Sequence, residues 1–270
     1  MESDSLSKKR EDVLSWLSTL DHSQRYHAIR SLRVEGTGKW LLNHSNYPSW
    51  RDDKASPNIL WCHGIQGAGK TFLASTIIYD LQSSVTRKAS RMGFFYFEHQ
   101  NQSTQSPDQV FANLIRQILA NPTYISQDIA NTFEKMKQSS QKIPLRTEDV
   151  LQLLLGSLRE LGSVFIVMDA LDECENSDHL GKILAFIQKA REIENTRVLV
   201  TSRPYPLIKE AFDDSPNITI QADGSDIRGY VQHSLRNCEL NDDIDDSLND
   251  KINTAILNSA NGIGTIARPL

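Results

Sequence analysis

Gly64-Ile65-Gln66-Gly67-Ala68-Gly69-Lys70-Thr71 decides the reading of this sequence, because it satisfies GxxxxGK(S/T) at every fixed position. A loop of this composition can turn its backbone N–H groups inward around a phosphate, since glycine tolerates the required angles and lets a ligand approach closely. Upstream, Ile59-Leu60-Trp61-Cys62-His63 is a short apolar run that predicts a buried strand. Downstream, Phe72, Leu73, Ile77, Ile78 and Leu81 recur at helical spacing over Lys70 to Leu81. Strand, loop and helix in that order aim a helix N-terminus, worth about half a positive charge, at the same phosphates. In this arrangement residues Gly64 to Gly69 form the cradle, Lys70 bridges the β- and γ-phosphates, and the Thr71 hydroxyl takes a Mg²⁺ position. The rival reading is a glycine-rich turn with an incidental lysine; the strand before it and the helix after it argue against that.

Working outward, the same alternation continues. Gly93 to Phe97 reads as a second buried strand, Val164 to Met168 as a third, Arg197 to Thr201 as a fourth and Asn217 to Ile220 as a short fifth. Between them lie helical stretches at about Asp108 to Ala120, Ile125 to Lys137, from Thr147 onward, and His179 to Ile193, while the polar segment Asn101 to Ser106 reads as a loop. Strands alternating with helices imply parallel pairing through right-handed crossovers, hence an α/β fold with three layers. Before the first strand, Arg10 to Leu32 predicts two short helices, Gly36-Thr37-Gly38 breaks the chain, and Lys39 to Leu42 starts an element ending near Pro48. After Asp223 the pattern is helical only, and the acidic run Asn241 to Asp246 reads as a solvated loop or helix start. Expected divisions are 1–45 for an N-terminal helical segment and linker, 46–222 for the α/β unit, and 223–270 for a partial helical appendage.

The third strand ends in Met168-Asp169, which sets a carboxylate at the C-terminal edge of the sheet, where open α/β sheets bind ligands. Asp169 is therefore the candidate Mg²⁺ partner facing Thr71. Asp172 and Glu173 follow closely, and either could polarise a water for attack on a γ-phosphate; the residue types alone do not choose between them. The fourth strand runs into Thr201-Ser202-Arg203, so Arg203 is a candidate cation for sensing or stabilising the transferring charge. Its bland alternative is a surface arginine before Pro204. The aromatic run Phe94 to Phe97 lies on a strand, so core packing is expected there rather than base stacking.

Composition limits the alternatives. The chain has 270 residues with 39% hydrophobic and 23% charged positions, enough to bury a sizeable core. Lys and Arg total 29 against 34 Asp and Glu, a net charge of -5, which disfavours nucleic-acid binding by bulk charge. Apolar runs long enough for a membrane span or a secretory signal are not expected from this sequence. Cys62, Cys174 and Cys238 are isolated, an odd count that fits a reducing, cytoplasmic setting, with buried structural roles for Cys62 and Cys174. The seven histidines show no paired ligand spacing, so no zinc site is expected.

Taken in order, Leu60 to Thr71, Phe94 to Ser106, Phe165 to Cys174 and Arg197 to Pro204 resemble the NACHT-type NTPase domain of STAND proteins. The version they are most similar to is the nephrocystin-like one of fungal NOD-like receptors. Gly36 to Leu42, Trp50, and Asp226-Ile227 with Tyr230-Val231 also resemble that family, and the similarity covers roughly residues 33–260. The resemblance implies a signalling switch: ADP holds a closed state, a ligand-sensing C-terminal repeat array releases it, and ATP binding permits self-association through the NTPase domain. Binding to related NACHT proteins is the expectation of a regulator without that array. It implies that Gly64 to Thr71 form the Walker A motif, Asp169 the Walker B residue, Asp172 and Glu173 the hydrolytic acids and Arg203 the sensor. It further implies that Val34 to Thr37 approach the adenine. Where relatives continue into a winged helix and repeats, this sequence reads Ala260-Asn261-Gly262-Ile263 and ends at Leu270, so a shortened receptor core is expected. Slow NTP hydrolysis is the leading expectation. A non-hydrolysing nucleotide-binding interaction module and a small-molecule kinase are the rivals, separable by phosphate release without a second substrate.

Overall fold

A strand buried on both faces must be apolar throughout, and Val164–Asp169 (β3) meets that condition up to its last residue. In the computed structural model, which describes residues 2–83, 90–120, 125–138, 145–221, 223–236, 251–252 and 254–255, β3 lies inside a five-stranded parallel sheet. The other strands are Ile59–His63 (β1), Arg91–Tyr96 (β2), Thr196–Ser202 (β4) and Asn217–Thr219 (β5), in the order β2-β3-β4-β1-β5. Every neighbouring pair is parallel, so the chain crosses over the sheet between strands. Register places Tyr96 opposite Asp169 and His63 opposite both Ser202 and Thr219, which gathers the C-terminal strand ends along one edge.

Side chains alternate across the sheet, and the alternation sorts the core into two layers. Val164, Ile166 and Met168 enter one cluster with Val198 and Val200; Phe165, Val167 and Leu199 enter the other. The second layer is covered by Lys70–Ser83 (α5), whose Leu73, Ala74, Ile77, Ile78 and Leu81 are buried there. The first is covered by Pro107–Ile118 (α6), Thr147–Glu160 (α8) and Ser177–Arg191 (α9), with Gln127–Gln138 (α7) adding Ile129 and Phe133.

The segment before β1 wraps the β2 edge. Glu2–Leu17 (α1) sends Val13 and Leu17 into the first layer, and Ser23–Ser31 (α2) sends Tyr26 and Ile29 into the second. The connection between them is held at Leu20, whose carbonyl accepts from Asn113 Nδ2 at 2.9 Å and Arg116 Nη1 at 2.7 Å. An edge strand left bare is a template for unwanted pairing, and this connection runs past it. Lys39–Asn43 (α3) and Asn46–Asp52 (α4) then lead to β1, with Tyr47 and Trp50 fully buried.

Several sequence expectations need adjustment. The segment expected to end near Pro48 is two helices, and Pro48 sits in the first turn of α4, where its missing N–H is not needed. The polar segment expected as a loop is a 3₁₀ turn, His99–Thr104, that side-chain bonds to Glu98 hold together. Helix Pro206–Phe212 (α10) was not expected; Pro206 occupies its first turn. Gly224–Arg236 (α11) is helical as expected, with Ile227 and Val231 buried. Cys238, the acidic run at 241–246 and the stretch 260–270 lie outside the described residues. Among the described residues no helix is long and apolar enough to cross a membrane.

Candidate functional site

After β1 the chain begins its turn with Gly64 N donating to Ser202 O at 3.2 Å, one step beyond the ladder. A Cβ at Gly64 would stand 2.4 Å from the Ile220 carbonyl oxygen, so glycine here answers a close backbone approach. Gly67 and Gly69 answer a different need: their φ values of 76° and 87° lie in the left-handed region. Leu73 N then donates to Gly69 O at 3.0 Å and α5 begins. Among the described residues the N–H groups of Gly67, Gly69, Lys70 and Thr71 meet no backbone acceptor, as at any open helix N-terminus. Ile65, Gln66 and Gly67 are exposed, whereas Ala68 is buried against the α5 layer. Lys70 Nζ folds back on the loop, donating to Gly64 O at 2.9 Å and Ile65 O at 2.8 Å. Partial burial pulls its pKa down, against the pull of Asp172 and Asp169.

Strand alternation carries Asp169 onto the α5 face, following Phe165 and Val167. It is 2% exposed. Thr201, next after Leu199 and Val200 on β4, shares that face, and its Oγ1 donates to Asp169 Oδ1 at 2.5 Å while accepting from Ala170 N at 2.9 Å. Burial pushes the Asp169 carboxyl up to about 6, opposed by the hydrogen bond from Thr201, the nearby Thr71 hydroxyl and the Lys70 charge. Thr71 and Lys70 thus stand beside Asp169, on the same side of the sheet.

Beyond Asp169 the backbone reverses through Ala170, at φ 56° and ψ 45°, a left-handed conformation that costs a non-glycine residue about 1–2 kcal/mol. The turn swings Leu171–Glu173 back over the strand ends. Asp172 meets Arg203 there: its two oxygens accept from Arg203 N at 2.8 Å and Arg203 Nε at 2.5 Å, with the aspartate side chain 3% exposed. That hydrogen bond raises the Arg203 pKa, and the guanidinium also lies 4.8 Å from the Tyr205 ring centre. Glu173 turns the other way, with Oε2 accepting from His99 N at 3.0 Å.

The sequence-predicted residues from Gly64 to Thr71, with Asp169, Asp172, Glu173 and Arg203, are therefore brought to one edge of the sheet. Thr201 was missed as a site residue; a polar residue closing an otherwise apolar strand was the available signal. The contact of His99 with Glu173 had no local signal. Nor did the link from Gly38 N and Trp40 Nε1 to Asp226, at 3.0 Å and 3.2 Å, which ties the Val34 to Gly38 lead-in to α11. Cys62 and Cys174 are buried with thiols pushed up, Cys174 to about 11, which suits core residues and not nucleophiles. Thr71 and Asp169 supply hard oxygen donors, and a carboxylate raised by burial gains from an adjacent cation, so the pair fits Mg²⁺. The free loop N–H groups and Lys70 fit phosphate oxygens in the same way.

A family model described as nephrocystin 3, N-terminal, matches residues 36–203. The vegetative incompatibility protein HET-E-1 of Podospora anserina is 21% identical over 193 residues, covering 70% of this chain and 14% of its own length. Among solved structures, the Walker-type ATPase PABY2304 of Pyrococcus abyssi is similar at 13% identity with a TM-score of 0.47, covering 80% of this chain and 62% of that one. AMPPCP-bound DnaA from Aquifex aeolicus matches at 10% identity with a TM-score of 0.45, covering 81% of this chain and 57% of that one. The chain thus spans 14% of the length of the curated relative and 62% and 57% of those two structures.

Proposed function

This chain belongs to the nephrocystin 3 N-terminal family, a NACHT-like NTPase domain, and from that premise we propose a nucleotide-dependent switch with slow Mg²⁺-assisted hydrolysis. The observation that carries the proposal is the convergence of Lys70, Thr71, Asp169, Asp172, Glu173 and Arg203 on one sheet edge. In this reading Gly64 to Gly69 cradle the phosphates of ATP or GTP, and residues 46–222 form the nucleotide-binding unit. Lys70 leaves the carbonyls of Gly64 and Ile65 for phosphate oxygens. Thr71 and Asp169 would hold Mg²⁺, which when bound would supply positive charge against the phosphates.

Asp172 has both oxygens committed to Arg203, so Glu173 is the better acid for polarising water. It takes the proton as the water oxygen bonds to the γ-phosphorus and the bridging P–O bond breaks toward the diphosphate. Arg203, held by Asp172, stands at the same edge to offset the migrating negative charge. Self-association and contact with related NACHT proteins extend the proposal by family likeness. The excess of acidic over basic residues gives no reason to add DNA.

Thermal unfolding with ADP, ATP and GTP, each with and without Mg²⁺, tests binding. A nucleotide at 100 times its Kd stabilises by about 2.7 kcal/mol. That corresponds to a Tm rise of about 5–10 °C for a domain of this size. Lys70→Ala is expected to remove most of that rise, and an undiminished rise would count against the cradle. Phosphate release without a second substrate separates hydrolysis from binding alone and from kinase activity.

A further inference from the structure

The 3₁₀ turn at His99–Thr104 buries none of its own side chains, so polar bonds and not packing set its position. Glu98, just before it, is the anchor. Its Oε1 pairs with Arg25 Nε of α2 at 2.8 Å, and its Oε2 accepts from Asn101 Nδ2. Its main chain is clasped by Gln105, which accepts from Glu98 N at 3.0 Å and donates to Glu98 O at 2.5 Å. From the turn, four bonds reach the acid-bearing segment. His99 N donates to Glu173 Oε2 at 3.0 Å, and Gln102 Nε2 to Glu173 O at 2.7 Å. Glu175 N donates to Gln102 Oε1 at 3.2 Å, and His99 Nε2 lies 2.7 Å from Glu175 Oε1. A cavity of about 460 Å³, lined by His22, Arg25, Tyr96 and Glu98 among others, separates α2 from the turn. The ion pair spans that gap.

We infer that α2 is a positioning element for the acid at the nucleotide site: Arg25, through Glu98, holds the turn whose His99 N–H orients the Glu173 carboxylate. Asp172 is fixed independently by Arg203, so Glu173 alone depends on this route. By this route α2 influences turnover through Glu98 and the turn. The inference rests on the reading of Glu173 as the hydrolytic acid. Because the Arg25 side chain is 51% exposed, water and salt weaken the pair, and the expected effect is about two- to fivefold.

The test compares wild type, Arg25→Ala and Arg25→Lys in the full chain, reading three quantities. These are phosphate release at saturating Mg²⁺-ATP, ATP Kd by thermal titration, and amide exchange at His99 and residues 173–175. Arg25→Ala is expected to slow release about two- to fivefold with Kd unchanged and to speed exchange at those amides; Arg25→Lys is expected to recover most of both. Unaltered exchange and release in Arg25→Ala overturn the inference, as does a loss of binding in step with turnover, which would mark a general structural defect. If wild type binds ATP but releases no phosphate while exchange still responds to Arg25→Ala, the hold of α2 on the turn stands and the hydrolytic reading of Glu173 falls.

Discussion

The two halves of the candidate site are built on different principles. At the end of β1 the phosphate loop is local: Lys70 binds carbonyls five and six residues away, and glycines supply the loop shape. At the ends of β3 and β4 the acidic half is remote. Asp169 meets Thr201 across 32 residues, Asp172 meets Arg203 across 31, and Glu173 meets His99 across 74. The first half is a property of backbone conformation, and substitutions there act through strain. The second is a property of sheet register, and substitutions there act by stranding a buried polar group.

The largest expected effect comes from Gly64→Ala, which drives a methyl to 2.4 Å from the Ile220 carbonyl, where backbone faces backbone. Overpacking against an atom that cannot rotate away costs about 3 kcal/mol, a Tm fall of about 6–12 °C. Gly69→Ala sharpens the contrast, since a Cβ there meets nothing within 4 Å and only the φ of 87° is strained. It should cost about 1–2 kcal/mol. Equal losses in thermal unfolding of the two variants would break the distinction between close approach and backbone angle.

Asp169→Asn acts in the opposite direction. Burial raises the Asp169 carboxyl from its ordinary 3.8 to about 6. The unfolded chain releases this proton at the lower value, so between the two the folded state carries the extra proton. Its contribution to stability is full below pH 3.8, falls as pH rises to about 6, and then levels. Above that point the buried charge costs about 3 kcal/mol, and Asp169→Asn should recover about 2 of it in protein without nucleotide. The pH slope over that window should vanish in the variant. If Asp169 holds Mg²⁺ as proposed, the order should reverse with Mg²⁺ and nucleotide, because only wild type would present a carboxylate to the metal. A variant less stable than wild type at pH 7.5 in the absence of ligand would sink the desolvation account.

The same division explains what could be read from the amino acids alone. Glycine spacing, the Lys70-Thr71 pair and the apolar run ending at Asp169 are short-range patterns, and each marks a feature the fold reproduces. Strand and helix periods likewise located β1, β3, β4 and α5 to within a few residues. What escaped was specified across the sheet. That Thr201, not Ser202, faces Asp169 follows from the parity of β4 against β3, and Ser202 instead accepts from Trp61 Nε1 at 2.8 Å on the other face. The hold of Asp226 on Gly38 spans 188 residues and leaves no trace in local composition. The His99–Thr104 turn looked structureless because its order comes from side-chain amides and carboxylates, residue types common in loops.

Thr201 offers the most discriminating prediction. Thr201→Val keeps the shape and the β-branch that suits a strand, but removes one hydroxyl that serves Asp169 Oδ1 and Ala170 N together. The N–H of Ala170 is then stranded in a buried turn whose left-handed conformation already carries strain. The expected loss is about 1–2 kcal/mol, or a Tm lower by about 2–8 °C. Thr201→Ser retains the hydroxyl and should lose less than half as much. The Asp169 carboxyl, deprived of a donor, should titrate higher in Thr201→Val, moving the stability-versus-pH slope above its wild-type position near 6. Phosphate-loop strain cannot produce that displacement. A Thr201→Val protein with lower Tm and an unmoved slope would mean that the two halves of the site are held by packing alone.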